Sequence, residues 1–319
     1  MPIKPSGPIP TQVMIVGDAP SYDDDQREEL FTDGAGYQLT KMLHEAGISR
    51  SECFITSVAR SPAPGGYVEN WIAKAKKDRT SEHTNLKGKW VRSPIVSGSE
   101  LLSREIEAIK PSLIITLGSL PLWGLTGLWG VNKWRGSMLR TDSGIRLVPT
   151  YHPSSVLRQW EQRAIAVNDL RRAARFRFHD YPPRTWNFIV RPSFSDVTRT
   201  LTTLLNEAST TELELSFDLE TRAGHIACAG ISWDINHAIS IPFMCVESKE
   251  GYWTAWEEAQ IIYLLYMLLC HSNVKVVGQN LLYDSQYTYR HWHFIPNVVQ
   301  DTMISHHVAF AGLPKRLDF

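Results

Sequence analysis

The sequence predicts an α/β protein of two domains, the first of them built on a parallel sheet. A chain of 319 residues fits two domains of ordinary size. In the first half, short and continuously apolar runs alternate with helical patterns, which is typical of a parallel sheet covered on both faces. The charge divides too: residues 1–180 hold 24 basic and 19 acidic side chains, and residues 181–319 hold 9 and 14. The positive first half is better suited to a polyanion.

Four apolar runs in the first half predict buried strands, the last of which continues into a loop: VMIVG (13–17), CFITSVA (53–59), SLIITLG (112–118) and IRLVPTYHPS (145–154). Helical spacing and stop signals predict helices over 36–47 and 99–111, the second with Ser99 as its N-cap and Pro111 beyond its end. Residues 65–95 are polar, rich in Lys and Trp, and without a clear period. We interpret them as a long loop or insertion.

The segment YPPRTWNFIVRPS (181–193) predicts the domain boundary, because prolines bracket a short strand where the charge balance changes. The predicted organisation is a tail (1–12), a first domain (13–180), a linker (181–192) and a second domain (193–319). Further elements are predicted in the second domain: a helix (195–208), a strand pair (215–234), a buried apolar helix (258–271), a strand (273–278) and a helix (279–292). The apolar helix is too short to span a membrane.

Two acids stand two positions apart in the strand LSFDLET, at Asp218 and Glu220. Because side chains at i and i+2 point the same way, both carboxylates project from one face of the sheet, with Leu219 buried behind them. Paired carboxylates repel unless a cation neutralises them, and Mg²⁺ and Mn²⁺ prefer such oxygen ligands. The alternative is a solvent-facing strand with two surface acids.

The following segments favour the metal site. VVGQNLLYDSQY places Asn280 and Asp284 four residues apart, on one face of a predicted helix, and QDTMISHHVAF places Asp301 before another helix. Together, FDLET, NLLYD, the pair Asp301-Thr302 and GLPKRLDF resemble the proofreading 3′–5′ exonuclease domain of family A DNA polymerases. That domain has a ribonuclease H-like sheet whose carboxylates hold two metal ions.

This resemblance implies that Asp218, Glu220 and Asp284 are catalytic and bind Mg²⁺ or Mn²⁺, with Thr221 and Asn280 contacting the substrate strand. The family's third motif, a Tyr followed by a fourth Asp, has no counterpart before Phe319. We therefore expect an incomplete exonuclease domain, and two explanations stay open: the chain is cut from a longer protein, or it is the product of a split gene whose polymerase polypeptide is separate. Neither Asp301 nor Asp318 lies in a motif that would replace the missing ligand.

In the first domain, GDAPSYDDD (17–25) follows the first predicted strand and YHPSSVLR (151–158) follows the last. Ligands usually bind at the carboxyl ends of parallel strands, so both loops can meet in one cleft. Together with FTDGAGYQL, ITSVARSP, IKPSLIITLG and WRG, these segments resemble the uracil-DNA glycosylase superfamily, most closely family 4. The resemblance covers about residues 13–178 and implies a three-layer parallel-sheet domain that takes a flipped base into a pocket.

The resemblance also implies roles for individual residues. Asp18 and His152 would be catalytic, and a further set would bind the substrate: Phe31 as the stacking ring, Ser57, Ser154, Leu157 and Arg158. Two departures weaken the enzymatic interpretation. Asp18 replaces the family's glutamate, and Ser57 replaces the asparagine that reads the uracil edge. With Cys53 as the domain's single cysteine, no iron–sulfur cluster is expected.

Six arginines crowd the predicted end of this domain, against few acids: Arg158, Arg163, Arg171, Arg172, Arg175 and Arg177. A solvated face and contact with phosphates both account for them. Phosphate contact would make DNA binding steeply dependent on salt.

These observations predict a DNA replication and proofreading component, the N-terminal part of a phage- or plasmid-type family A DNA polymerase. Its predicted partners are DNA, in particular single-stranded 3′ ends, and a downstream polymerase polypeptide. Two alternatives stay open: a uracil-excising repair enzyme and a non-catalytic DNA-binding accessory protein. Four scattered cysteines without a CxxC pair, and an N-terminus without an apolar signal region, predict a reducing, intracellular setting with no membrane partner. The resemblance to phage-type polymerases implies the cytoplasm of a bacterial host.

Overall fold

The computed structural model describes residues 3–179, 185–246 and 251–315. It divides the chain into two compact units, Met1–Tyr181 and Pro182–Phe319, each of which is described by itself. Part of the predicted linker, residues 181–184, lies outside the described residues. So do the last four residues of the GLPKRLDF segment, which include Asp318.

A five-stranded sheet forms the centre of the first unit. Its strands are β1 (Val13–Gly17), β2 (Cys53–Ser57), β6 (Leu113–Leu117), β7 (Leu139–Arg140) and β8 (Arg146–Thr150). The strand order is β2-β1-β6-β8-β7; the first four strands are parallel, and β7 pairs antiparallel with β8. Every residue of β1, β2 and β6 is buried, as expected for strands covered on both faces. The four predicted strands are confirmed.

Helices cover both faces of this sheet: α1 (Tyr22–Arg27), α2 (Gly34–Glu45), α3 (Ser93–Ile109), α4 (Ser119–Thr126), α5 (Val131–Trp134), α6 (Pro153–Arg158) and α7 (Gln162–Phe176). Leu39 of α2 and Leu170 of α7 share one core cluster with Ile15 of the sheet. Leu102 of α3 and Trp123 of α4 belong to the cluster on the other face. The predicted three-layer α/β fold is therefore confirmed.

The predicted start of α3 is wrong by two turns. The helix begins at Ser93, with Pro94 in its first turn, where a missing amide hydrogen costs no hydrogen bond. Ser99 lies inside the helix, and its Oγ donates to the Ile95 carbonyl at 2.7 Å. A serine hydroxyl that bonds back to its own helix cannot cap the helix start.

The predicted loop over residues 65–95 contains a small antiparallel sheet instead. Its strands are β3 (Ile72–Ala73), β4 (His83–Leu86) and β5 (Lys89–Arg92), in the order β3-β5-β4. Lys87 and Gly88 both have positive φ, which is the type I′ hairpin geometry that suits the twist of paired strands. Trp71 and Val91 are buried in the core and attach this insertion to the domain.

The second unit contains a six-stranded mixed sheet: β9 (Asn187–Val190), β10 (Leu213–Arg222), β11 (His225–Ser232), β12 (His237–Pro242), β13 (Val274–Gly278) and β14 (Val298–Asp301). The order is β14-β13-β10-β11-β12-β9. β10, β11 and β12 are antiparallel neighbours, whereas β13 and β14 run parallel to β10. This order and these directions give the ribonuclease H-like arrangement that the sequence predicts. β12 is an additional strand that the sequence pattern did not reveal.

Within the described part of this unit, four helices accompany the sheet: α8 (Phe194–Ala208), α9 (Ala255–Leu269), α10 (Leu281–Trp292) and α11 (Thr302–Ala309). The predicted apolar helix is α9, and its residues Leu265 and Leu268 are fully buried with Phe217 of β10 in one core cluster. None of the helices that the structure describes combines the length and the apolar character required to cross a bilayer.

Candidate functional sites

A cavity of about 570 Å³ opens in the first unit at the carboxyl ends of the central strands. Asp18 follows β1, Gly118 follows β6, and His152 follows β8. Residues that follow three parallel strands therefore form part of the cavity wall at one edge of the sheet. The predicted site residues Phe31, Ser154 and Arg158 also line this base cavity, so that five predicted residues meet in it.

Asp18 presents an unpartnered carboxylate oxygen at this edge. Its Oδ1 is sealed from solvent and has no hydrogen-bond partner among the described residues. Burial raises the pKa of Asp18 to about 7; the charge of Glu69 adds to this rise, and the backbone amide of Leu120 opposes it. Gly118 has φ of 101°, and a Cβ on it would lie 2.8 Å from the Asp18 carboxylate. The glycine therefore provides the space that the acid occupies.

His152 presents a donor to the same cavity. The backbone amide of Ser154 donates to His152 Nδ1 at 3.2 Å, so Nδ1 is an acceptor and the neutral ring carries its proton on Nε2. Nε2 is buried without a partner among the described residues. Burial lowers the pKa of His152 to about 4, which keeps the imidazole neutral at neutral pH. His152, a residue of the cavity wall, therefore holds an N–H that no acceptor among the described residues uses.

Phe31 occupies a strained position beside these groups. Its φ is 58°, in the left-handed region, and its ring centre lies 5.6 Å from that of His152. The Phe31 carbonyl accepts from Arg50 Nη2 at 3.2 Å, which fixes the turn. A Cβ on Gly17 would lie 2.8 Å from the Phe31 ring, and a Cβ on Gly36 would overlap the Phe31 carbonyl. Two glycines therefore permit this placement of the ring.

Two predicted residues of the first unit do not line the cavity. Ser57 is 1% exposed, and its Oγ donates to the Ala59 carbonyl at 2.7 Å, so its hydroxyl is used inside the protein. Leu157 is half exposed and packs near Gly34 at the start of α2. Sequence reasoning missed Glu69 and Asn132, which do line the cavity. A lone acid in a short 3₁₀ helix gives no pattern from which its role could be predicted.

The raised pKa of Asp18 leads to a prediction about stability. Because the folded pKa lies above the ordinary value of 3.8, the free energy of unfolding should fall as pH rises from about 4 to 7. Asp18→Asn removes the buried charge, so at pH 8 it should raise that free energy by about 2–4 kcal/mol. Near pH 4 the difference should vanish. Urea unfolding at both pH values measures it.

The control for this prediction is Asp142→Asn, at an acid whose side chain is 85% exposed, and it should change stability little at either pH. A loss of stability at pH 8 on replacing Asp18 would show that the folded protein favours the charged carboxylate.

In the second unit, β10 carries its acids on one face. Leu215, Phe217 and Leu219 are buried on one face of the strand. Asp218 and Glu220, which alternate with them, are exposed on the other face. This alternation is the arrangement that the strand pattern predicts. It leaves both carboxylates accessible from the side of the sheet opposite the core.

Asp284 reaches this strand from α10. Its Oδ1 accepts from the Leu219 amide at 2.7 Å, which places a carboxyl that is 3% exposed beside Asp218. Burial raises the pKa of Asp284 to about 6, and the neighbouring charge of Asp218 adds to the rise. The absence of a side chain at Gly278 allows the end of β13 to lie close to β10, because a Cβ there would lie 2.7 Å from the Phe217 carbonyl.

The structure changes the interpretation of Asn280. This residue precedes α10 in a left-handed conformation, with φ of 56°, and is exposed, whereas Asp284 is buried. The prediction that both lie on one helix face is therefore wrong. Thr221 hydrogen-bonds to the Tyr283 hydroxyl, which joins β10 to the first turn of α10.

Asp301 has a structural role. Its Oδ1 accepts from the amides of Asn280 and Met303, both at 2.9 Å, and its Oδ2 accepts from the Leu281 amide at 2.9 Å. One carboxylate therefore caps the starts of α10 and α11. Among residues 3–179, 185–246 and 251–315, no three His, Cys, Asp or Glu side chains are already assembled as metal ligands. The oxygen donors Asp218, Glu220 and Asp284 still have the chemistry that suits a hard cation.

Comparison with known proteins identifies the first unit. The model of the uracil DNA glycosylase superfamily matches residues 5–173, and the chain belongs to this superfamily. A type-4 uracil-DNA glycosylase of Thermotoga maritima is 28% identical over 174 residues, which cover 53% of this chain and 80% of the relative. A type-4 uracil-DNA glycosylase of Archaeoglobus fulgidus is 25% identical over 169 residues, covering 50% of this chain and 74% of the relative.

A DNA polymerase of Bacillus phage SP01 is 28% identical over 171 residues, which cover 53% of this chain and 16% of the polymerase. Among solved structures, the catalytic core of RRP6 from Trypanosoma brucei has a TM-score of 0.30 at 15% identity, covering 41% of this chain and 32% of that one. RNase D from Escherichia coli has a TM-score of 0.28 at 14% identity, covering 41% of this chain and 30% of the RNase D chain. This chain thus spans about a third of each of these two structures.

Proposed function

We propose that the chain is a DNA-processing component of replication and proofreading, in which the second unit removes nucleotides from 3′ ends. The observation that carries this proposal is the Asp284–Leu219 hydrogen bond, which holds a third carboxyl beside the exposed acids of β10. A phage DNA polymerase among the relatives supports the assignment to replication. Rates of 3′ degradation of a 5′-labelled single strand, with Mg²⁺ or Mn²⁺ and with variants of Asp218, test it.

Asp218, Glu220 and Asp284 are the residues of this chain that would hold the metal. Bound Mg²⁺ or Mn²⁺ would supply an activated water and neutralise charge on the phosphate. The protein's own contribution is to hold its carboxyl and hydroxyl groups in fixed positions. The Leu219 amide fixes the Asp284 carboxyl, and the Thr221–Tyr283 hydrogen bond holds two hydroxyls near the same end of β10. Exposed Asn280 offers an amide to the substrate strand.

The first unit would hold a DNA base that has left the stack. The cavity of about 570 Å³ accommodates a base, the Phe31 ring lies in its wall, and His152 Nε2–H is free to donate to a base oxygen. A base held in this cavity would keep the DNA bound to the first unit. We propose base binding, without efficient excision, as the main role of this cavity.

Uracil excision is the second candidate, because Asp18 and His152, the residues proposed to be catalytic, line the same cavity. When a glycosidic bond breaks, its electron pair passes to the base, and the neutral imidazole of His152 can stabilise the resulting charge by donating a hydrogen bond. The Asp18 carboxylate can stabilise the positive charge that develops on the sugar. One atom of each group, Asp18 Oδ1 and His152 Nε2, is buried without a partner among the described residues, which is the observation in favour of this activity.

We nevertheless expect excision to be slow because of Ser57. Its Oγ is bonded to Ala59, so no side-chain amide reads the uracil edge from the end of β2. A site that lacks such a contact binds the departing uracil less tightly in the transition state, and we expect uracil release roughly a thousandfold slower than by the Thermotoga maritima relative under the same conditions. Scoring abasic sites in uracil-containing single and double strands measures the rate. Rapid release that depends on His152 would contradict the prediction.

A further inference from the structure

A second concave surface lies on the first unit, between α2 and the segment that joins α6 to α7. This groove has a volume of about 530 Å³. Gln38 and Lys41 line it from α2, Trp160 lines it from the joining segment, and Arg163 lines it from the first turn of α7. The residues that line this Trp160 groove and those that line the base cavity form separate sets.

Gln38 is unusual for its place in the helix. The residue is 4% exposed, and its Nε2 donor has no hydrogen-bond partner among the described residues. Its helix neighbours Leu39 and Met42 are core residues, so an apolar side chain would be less costly here. A buried donor without an acceptor is unfavourable, and an oxygen-bearing ligand in the groove would satisfy it.

Trp160 gives the groove an exposed aromatic wall. The residue is 61% exposed, and the guanidinium carbon of Arg163 lies 5.3 Å from its ring centre. Nearby on α2, Tyr37 is 65% exposed, with Lys41 Nζ 4.6 Å from its ring centre. Exposed rings beside cations form the surface on which proteins stack the bases of single-stranded nucleic acids.

The charge of the groove suits a phosphate. Its one acid, Glu45, accepts from Arg163 Nη1 at 3.1 Å. This hydrogen bond lowers the pKa of the Glu45 carboxyl, and the charges of Arg163, Arg171 and Lys41 lower it further. Three cations therefore surround one carboxylate, which leaves a positive surface.

We propose that the Trp160 groove binds a nucleotide of single-stranded DNA, with its base stacked on Trp160 and its oxygens facing Gln38 and Lys41. The inference rests on the proposed function, which brings DNA to this unit. Arg158, Gln159 and Gln162 line the base cavity, and Trp160 lies among them in sequence. A strand with one base in the cavity would therefore pass this segment and place another nucleotide in the groove.

Fluorescence anisotropy of a labelled oligothymidine with the full chain, at fixed low salt, tests the inference. Trp160→Ala should weaken binding about tenfold, the loss expected for one stacked base. Gln38→Leu should weaken binding several-fold while raising the melting temperature of the free protein, because it removes the unsatisfied donor. The matched control is Phe178→Ala: Phe178 is 67% exposed, and the Arg177 guanidinium lies 5.0 Å from its ring centre.

Phe178→Ala should bind the oligonucleotide as the unmodified chain does. If the unmodified chain binds DNA and both the Trp160 and Gln38 variants bind it with unchanged affinity, the proposal that the groove binds a nucleotide is wrong. The proposed function is not affected by that result. A loss at Phe178 equal to that at Trp160 would also overturn it, since any exposed ring would then serve. Absence of DNA binding by the unmodified chain would overturn the groove and the proposed function together.

Discussion

Replacing Asp218 with alanine should lower the rate of metal-dependent 3′ nucleotide removal by at least about a thousandfold. Asp218 is exposed on β10, and its charge is close enough to Asp284 to raise that residue's pKa. Without this carboxylate, a cation bound as proposed would lose an oxygen ligand, and the scissile phosphate of the DNA would no longer be held in position. Denaturing electrophoresis of a 5′-labelled primer, followed over time with Mg²⁺ or Mn²⁺, gives the rate.

Two further variants separate chemistry from folding. Asp284→Asn keeps an oxygen that can accept from the Leu219 amide but removes the charge, so it should lose activity while retaining stability. Glu214→Ala removes an exposed acid from the same face of the same strand and should leave the rate unchanged. Unaltered degradation by the Asp218 and Asp284 variants would show that the nuclease activity arises elsewhere.

The largest expected loss of stability in the first unit follows from Asp169→Ala. Asp169 is 1% exposed and accepts from Arg135 Nε and Nη2, both at 3.1 Å, and from Thr150 Oγ1 at 3.0 Å. Removal of this carboxylate leaves a largely buried guanidinium without its partner, which typically costs about 3–5 kcal/mol. Urea unfolding of the chain and the variant measures the difference.

The comparison for this prediction is Glu82→Ala, at an exposed ion pair in which Arg92 and Glu82 lie 3.6 Å apart. Its expected cost is below about 1 kcal/mol. An equally small cost for Asp169→Ala would mean that Arg135 finds other partners or water once the acid is removed. The same carboxylate explains the WRG segment, because a Cβ on Gly136 would overlap Asp169 Oδ1.

The sequence predicted the elements that have a strong local pattern. The strands at 13–17 and 113–117 are apolar on both faces because helices cover both sides, so a continuous apolar run revealed them. The hairpin at residues 83–92 had no such signal, since its strands are short and only partly buried, without a regular alternation. β12 was missed for a related reason: its alternation is brief and ends at Pro242.

Within the site, sequence order located residues but not their hydrogen bonds. Asp18 and His152 were predicted because each follows a parallel strand, and the fold brings such positions to one edge. The proton on His152 Nε2 depends on the Ser154 amide, which only the folded turn reveals. Ser57 was expected to face a base, and its bond to Ala59 arises from a backbone turn that the pattern does not encode.

The left-handed Phe31 turn also limits how the base cavity can change during evolution. Its wall depends on Gly17 and Gly36, since a side chain at either position would collide with Phe31. Substitutions there would remove the cavity before they could alter what it accepts. By contrast, Tyr67 and Glu69 line the cavity from an exposed connecting segment of short 3₁₀ turns, where we expect replacement to be tolerated. If the cavity binds a base as proposed, a lineage that acquires a new base preference would accumulate its changes in that segment, while the Phe31 turn stays the same.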